Sequence, residues 1–234
     1  MTSDTASRPL RTFGRRRGHR LRQARSDLIG GLLPGLRLPA AGSIEPSDLF
    51  ATPKRAMWLE IGFGGGEHLA GQAAAHRDVG FIGCEVYIDG VASLLRHIDG
   101  LRLDNVRLHD GDAREVLDRL PDASLERIYL LFPDPWPKVR HHKRRFVSPP
   151  MLDALSRVLS DDGQLIFASD HGDYMRWTLE RAIAHADFRW EARSAADWRR
   201  PAGWVETRYE AKALAAGGRC FYLSFRRRPR LPPV

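Results

Sequence analysis

The chain has little cysteine: Cys84 and Cys220 are its only two in 234 residues. Two thiols so far apart match no metal-ligand spacing and build no disulfide framework, which excludes zinc ribbons and small disulfide-built secreted scaffolds. Both read as small buried apolar residues in a reducing cytoplasm. Also missing is any apolar run of the ~20 residues that a membrane-spanning helix needs, and the apolar stretch of a secretory signal. Acidic residues are scarce at one end. Residues 1–25 hold eight arginines against Asp4 alone, so most of the net charge of +8 lies there. An organelle transit peptide is an alternative source of such a start. Otherwise this stretch reads as a basic, disordered arm suited to a polyanionic partner. Residues 26–56, with their prolines and glycines, read as a linker, and 57–234 as one domain.

What is present is an alternation of apolar runs and helical patterns. Strands are expected at 58–61, 81–86, 106–109, 127–132, 164–168, 188–191 and 220–225, and helices at 67–76, 91–97, 113–120, 149–159 and 170–185. Ile128-Tyr129-Leu130-Leu131 is apolar throughout, as a central strand covered on both faces must be. Ser148-Pro149 supplies an N-cap and a first-turn proline for the fourth helix. Strands alternating with helices predict an α/β fold, a doubly wound and mostly parallel seven-stranded sheet. Ligands of such sheets bind beyond the carboxyl ends of the strands. Glu60, Glu85, Asp112, Asp134 and Asp170 all fall there.

Glu60-Ile61-Gly62-Phe63-Gly64-Gly65-Gly66 lies between the first strand and its helix. Glycines let the backbone turn tightly and approach a ligand. A dinucleotide fingerprint would place glycine or alanine where this chain has Glu67, whose charge opposes a pyrophosphate at a helix N-terminus. An acid opening the loop instead suits a cationic or hydroxyl-bearing ligand. Glu85 is placed to hold two ribose hydroxyls and Asp112 to accept from an adenine amino group. Any one of these acids alone is ordinarily a helix N-cap or a solvated charge; as a series behind a glycine loop they form a site. The loop resembles the first motif of S-adenosylmethionine-dependent methyltransferases. That resemblance implies a Rossmann-like class I methyltransferase fold with S-adenosyl-L-methionine as cofactor, and Gly62 and Gly64 beside the acids in donor binding.

The run from Phe132 to Arg145, FPDPWPKVRHHKRR, follows the fourth strand. Asp134 can accept from the N–H edge of a guanine, Trp136 offers a stacking face, and Lys138, Arg140, Lys143, Arg144 and Arg145 can meet phosphates. His141-His142 lacks any other suitably spaced ligand, so no metal is expected. The run closely resembles the signature of the bacterial tRNA (guanine-N7)-methyltransferases. Arg11-Thr12-Phe13-Gly14-Arg15-Arg16 is similar to their basic N-terminal motif, and Thr207-Arg208-Tyr209-Glu210 to their T-K-F-E substrate segment. The resemblance implies a tRNA substrate methylated at guanosine-46 of the variable loop. It also implies Glu60, Glu85, Asp112 and Asp134 as donor-binding acids, Asp134 as the catalytic residue, and Lys138, Asp170 and Thr207 to Glu210 as acceptor-binding. A cytoplasmic monomer or homodimer is expected. After Glu210 the chain departs from the family, reading Ala211-Lys212-Ala213-Leu214 where an Arg-Gly pair is usual. Two other readings remain: methylation of an exocyclic amine, since Asp134-Pro135-Trp136-Pro137 loosely resembles the [DN]-P-P-[FYW] motif but with proline in the fourth place, and a catalytically silent RNA-binding protein.

Overall fold

Seven strands form one sheet in the order β3-β2-β1-β4-β5-β7-β6, in a computed structural model that describes residues 23–231. The strands are β1 Ala56–Ile61, β2 Val79–Cys84, β3 Val106–His109, β4 Leu125–Leu131, β5 Leu159–Ser169, β6 Phe188–Trp190 and β7 Phe221–Arg227. The first five run parallel; β7 inserts antiparallel between β5 and β6. Helices α1 Gln23–Gly31, α2 Leu33–Leu36, α3 Glu67–Ala75, α4 Ile88–Leu101, α5 Ala113–Arg119, α6 Pro149–Val158, α7 Gly172–Ala184 and α8 Arg208–Ala215 complete the fold.

Successive residues of a strand point to opposite faces, so a strand covered on both faces must be apolar throughout. In β4, Ile128 and Leu130 enter one core with Leu152 and Leu155 of α6, while Tyr129 and Leu131 enter the other with Leu69 of α3 and Leu94 of α4. The same alternation runs through Leu165, Ile166, Phe167 and Ala168 of β5. Helices α1–α4 thus contribute to one core and α5–α7 to the other.

Residues 26–56 differ from the expected linker. They form most of α1 and all of α2, and Leu33, Leu36, Leu38, Ile44, Leu49 and Phe50 are buried. Arg37 bridges in parallel to Leu108 of β3, and its guanidinium pairs with Asp110. This stretch is therefore part of the folded body. The expected arm lies outside the described residues up to position 22, and Gln23 to Arg25 already belong to α1. Ser148 holds the N-cap position of α6 and Pro149 starts the helix, but the serine side chain makes no capping bond. Asp161-Asp162-Gly163, a turn-forming triplet, lies inside β5, with Asp162 in the left-handed region at φ 59°.

Candidate active site

The carboxyl ends of β3, β2, β1, β4 and β5 lie side by side, which brings Asp112, Glu85, the glycine loop, Asp134 and Asp170 to one edge of the sheet. Chain order reverses between β1 and β4, the switch point where such sheets open a crevice. The loop enters it on backbone that favours glycine: Gly62, Gly64 and Gly66 have φ of 69°, 56° and 80°. A side chain at Gly66 would also start 2.7 Å from Leu94, so its absence lets α3 seat against α4. At Gly62 a Cβ would meet nothing within 4 Å, so space opens directly over the loop. The Glu67 carboxylate folds back toward Gly65, where it opposes a phosphate.

Glu85, just past β2, is 9% exposed. It accepts hydrogen bonds from the backbone N–H of Gly64 at 2.8 Å and of Tyr87 at 2.9 Å. Burial pushes its carboxyl above the ordinary range, those two bonds oppose the shift, and the nearby charge of Asp134 adds to it. Asp112 caps α5, accepting from Arg114 N at 3.0 Å and pairing with the Arg114 guanidinium at 2.6 Å. Burial works against its charge, but the bonds from Arg114 prevail and hold the carboxyl below the usual value.

Glu60, expected as a donor-binding acid, lies buried at the end of β1. It is 3% exposed and its Oε2 meets Nδ1 of His68 at 2.7 Å. The His68 ring is itself held against Tyr129 and Trp204. Sequence reasoning missed His68, which the first turn of α3 carries under the loop.

Beyond β4 the backbone bends sharply. Phe132 still donates to Ala168 O, but Phe132 and Trp136 have φ of 49° and 44°. For bulky residues this conformation costs about 1–3 kcal/mol each, and it gathers at functional sites. Asp134 sits between them and is exposed, as are Lys138, Arg140, Lys143 and Asp170. Trp136 is half-buried: the Arg144 guanidinium lies 4.8 Å from its ring and His141 meets its edge. Arg145 overturns the phosphate expectation. It is 4% exposed and faces inward, bonded to Pro135 O and Asp173.

The Thr207-Arg208-Tyr209-Glu210 segment divides. Thr207 and Glu210 form a capping box that starts α8. Glu210 is fully buried and accepts from Arg200 Nε at 2.8 Å, Trp204 Nε1 at 2.7 Å and the Tyr222 hydroxyl. It cannot touch RNA in this state, which corrects the expectation of direct contact. Arg208 and Tyr209 point outward, and the Tyr209 ring lies against Gly64. The preceding residues lie along α3: Gln72 Nε2 donates to Gly203 O at 3.2 Å, and Val205 packs where Gly71 lacks a side chain. The segment thus walls the crevice between donor loop and acceptor turn. Although Tyr209 is 59% exposed, partial desolvation and the charges of Glu85 and Asp134 raise its hydroxyl above the ordinary value.

An adenosyl sulfonium fits this edge: carboxylates stand at adjacent strand ends, the space over Gly62 is open, and the acids suit a cation. Among the described residues no group of three or more His, Cys, Asp and Glu could hold a metal ion, and no helix is long and apolar enough to cross a membrane.

Residues 54–223 match a family model described as "Putative methyltransferase". A tRNA (guanine-N(7)-)-methyltransferase of Rhodospirillum rubrum is 54% identical over 94% of this chain and 89% of its own. One from Chelativorans sp. is 51% identical over 91% and 93%, and one from Zymomonas mobilis 44% over 97% and 100%. Among solved structures, the antibiotic-resistance methyltransferase Kmr aligns with a TM-score of 0.50 at 19% identity, covering 82% of this chain and 98% of that one. The 16S rRNA methyltransferase KamB gives 0.51 at 15% identity over 75% and 89%. Both share the fold alone. The relatives span nearly the whole chain at high identity, so this chain belongs to the tRNA (guanine-N7-)-methyltransferase family.

Proposed function

We propose that the chain methylates N7 of a tRNA guanine, guanosine-46 of the variable loop, in the cytoplasm. The observation that carries this reading is the pairing of a glycine loop and buried strand-end acids with an exposed carboxylate, Asp134, on a strained turn across the switch point. When bound, S-adenosylmethionine supplies an electrophilic methyl group on a sulfonium. Glu85 accepts from the ribose hydroxyls and Asp112 from the adenine amino group. Gly62 and Gly64 let the loop backbone come close, and Glu60, fixed by His68, places negative charge beneath it.

Guanine N7 carries a lone pair and no proton, so no residue acts as a base. Asp134 accepts from guanine N1–H and N2–H₂, which fixes the direction of the N7 lone pair. Its charge also favours the cation that develops on the purine, so catalysis is alignment and electrostatics. Lys138, Arg208 and Tyr209 border the crevice on the acceptor side with Asp170, while Thr207 and Glu210 hold that border in shape. The basic stretch 1–25 adds phosphate contacts.

The test is incubation with labelled S-adenosylmethionine and unmodified tRNA, followed by digestion to nucleosides. Label in N7-methylguanosine, lost when the variable-loop guanine is replaced, is expected. Label in an exocyclic methylamine would overturn the acceptor assignment, and tight tRNA binding with no label would leave only an RNA-binding protein.

A pH dependence follows from Glu85. Its carboxyl is raised by burial, and only the charged form accepts from both hydroxyls. Affinity for S-adenosylhomocysteine is therefore expected to be full at neutral pH and to fall as pH drops through a midpoint above the ordinary carboxylate range. In Glu85→Gln the affinity is lower and flat over the same interval. Calorimetric titration between pH 5 and pH 8 reads this, and an unchanged pH profile in that variant would assign the titration elsewhere.

A further inference from the structure

The turn that presents Asp134 is poor in backbone donors. Pro133, Pro135 and Pro137 have no N–H to donate, and the last backbone bond to the sheet is from Phe132 N to Ala168 O at 2.8 Å. Yet Phe132 and Trp136 both keep left-handed backbone, which persists only where the surroundings impose it. Arg145 is placed to impose it. Its Nε donates to the Pro135 carbonyl at 2.9 Å, and its Nη2 donates to Asp173 in the first turn of α7. The guanidinium is flanked by the rings of Tyr174 at 5.0 Å and Trp177 at 4.9 Å, and Trp177 is fixed in turn by donating to Val147 O at 2.7 Å. A rigid planar fork that meets two acceptors while stacked on aromatic rings is a geometry lysine does not reproduce.

We infer that Arg145 is a positioning residue for methyl transfer, clamping the Asp134 turn to α7 through the Pro135 carbonyl and Asp173. This rests on the reading of Asp134 as the group that orients guanine. Arg145 does not meet phosphate: it is buried, whereas Lys138, Arg140 and Lys143 of the same run are exposed. The Asp173 carboxyl, held below the ordinary range first by its bond from Arg145, remains charged throughout the neutral range.

The experiment compares Arg145→Lys and Asp173→Asn with the native chain in single-turnover methyl transfer at saturating tRNA and S-adenosylmethionine. Affinities for tRNA and S-adenosylhomocysteine and the thermal midpoint are measured alongside. Displacing a reacting group by an ångström costs about a hundredfold in rate. Arg145→Lys is expected to lose about that factor, with both dissociation constants changed less than about twofold. Asp173→Asn, which leaves the bond to Pro135 in place, loses roughly tenfold, as for one charge-assisted hydrogen bond. Asp173 is half exposed, so this variant keeps the test available should the lysine variant fail to fold.

Two results would overturn the clamp. One is a normal saturated rate, well below the melting temperature, with only the thermal midpoint lowered. The other is a normal saturated rate with weaker tRNA binding and a shallower salt dependence, which marks a phosphate contact. Asp134→Ala separates the clamp from its premise. Near-native turnover in that variant removes Asp134 from the reaction; an inactive Asp134→Ala with normal Arg145→Lys and Asp173→Asn removes the clamp alone.

Discussion

Asp134→Ala is expected to slow single-turnover methyl transfer by roughly a hundred- to a thousandfold, the scale on which loss of one preorganised electrostatic contact acts. Binding of tRNA is expected to survive. Affinity for a polyanion comes from its phosphates, and the cations that meet them are other residues. The fold is expected to survive as well, because Asp134 is exposed at the tip of its turn and truncation leaves no cavity. Asp134→Asn keeps the shape but loses the charge and turns one acceptor into a donor facing guanine N–H groups, so it too is slow. Rapid-quench kinetics reads the rate and filter binding the affinity. There is an independent signature: the Asp134 charge contributes to the raised Glu85 carboxyl, so the midpoint for S-adenosylhomocysteine binding moves down in Asp134→Ala. A rate within a few-fold of native would take Asp134 out of the chemistry.

Glu210→Ala is expected to have the largest effect on stability. The side chain is fully buried and gathers Arg200, Trp204, Tyr222 and the N–H of Thr207 around one carboxylate. Removing one member of a buried charged network costs about 3–5 kcal/mol. The buried Tyr222 hydroxyl and Thr207 N–H lose a partner without regaining water, while Arg200, 40% exposed, keeps Glu206. For a chain of this size that lowers the thermal midpoint by roughly 6–20 °C. Donor affinity falls with it, because Glu210 anchors the segment that lays Trp204 on His68 and Tyr209 on Gly64. Glu210→Gln keeps the volume and is milder. Calorimetric melts and S-adenosylhomocysteine titration check both effects; a loss under about 1 kcal/mol would show that Glu210 is not the anchor.

The sheet was legible because its physics is local and repetitive. Two-sided burial writes itself into Ile128 to Leu131 as unbroken apolarity, and parallel strands carry their acids to one edge. The α1–α2 region was not legible. Leu28, Ile29, Leu32, Leu33 and Leu36 follow a helical period, but Gly30, Gly31, Pro34 and Gly35 interrupt it with residues that signal a loop. In the site, residue types and strand ends were readable, and inward or outward orientation was not. Nothing in those five cations says that Arg145 turns inward, because its direction is set by tertiary contacts with Pro135 O and with Asp173 of α7. Glu210 could have been placed. Thr-x-x-Glu ahead of a helix is a capping-box signature, and a glutamate committed to a cap is not available to RNA. The pairing of Glu60 with His68 depends on how α3 lies beneath the loop, a matter of tertiary packing.

The place of β7 in the sheet bears on how the molecule comes into being. Among the described residues β6 pairs only with β7, and β7 alone joins it to β5. A chain emerging from the ribosome can assemble β1 to β5 with their helices, and so the donor half, while residues 221–227 are still being made. Until then β6 has no neighbour and Glu210 lacks the Tyr222 hydroxyl that β7 delivers. The acceptor wall is thus the last part to be built, and a nascent chain with only β1 to β5 in place has no finished surface on which to receive a tRNA.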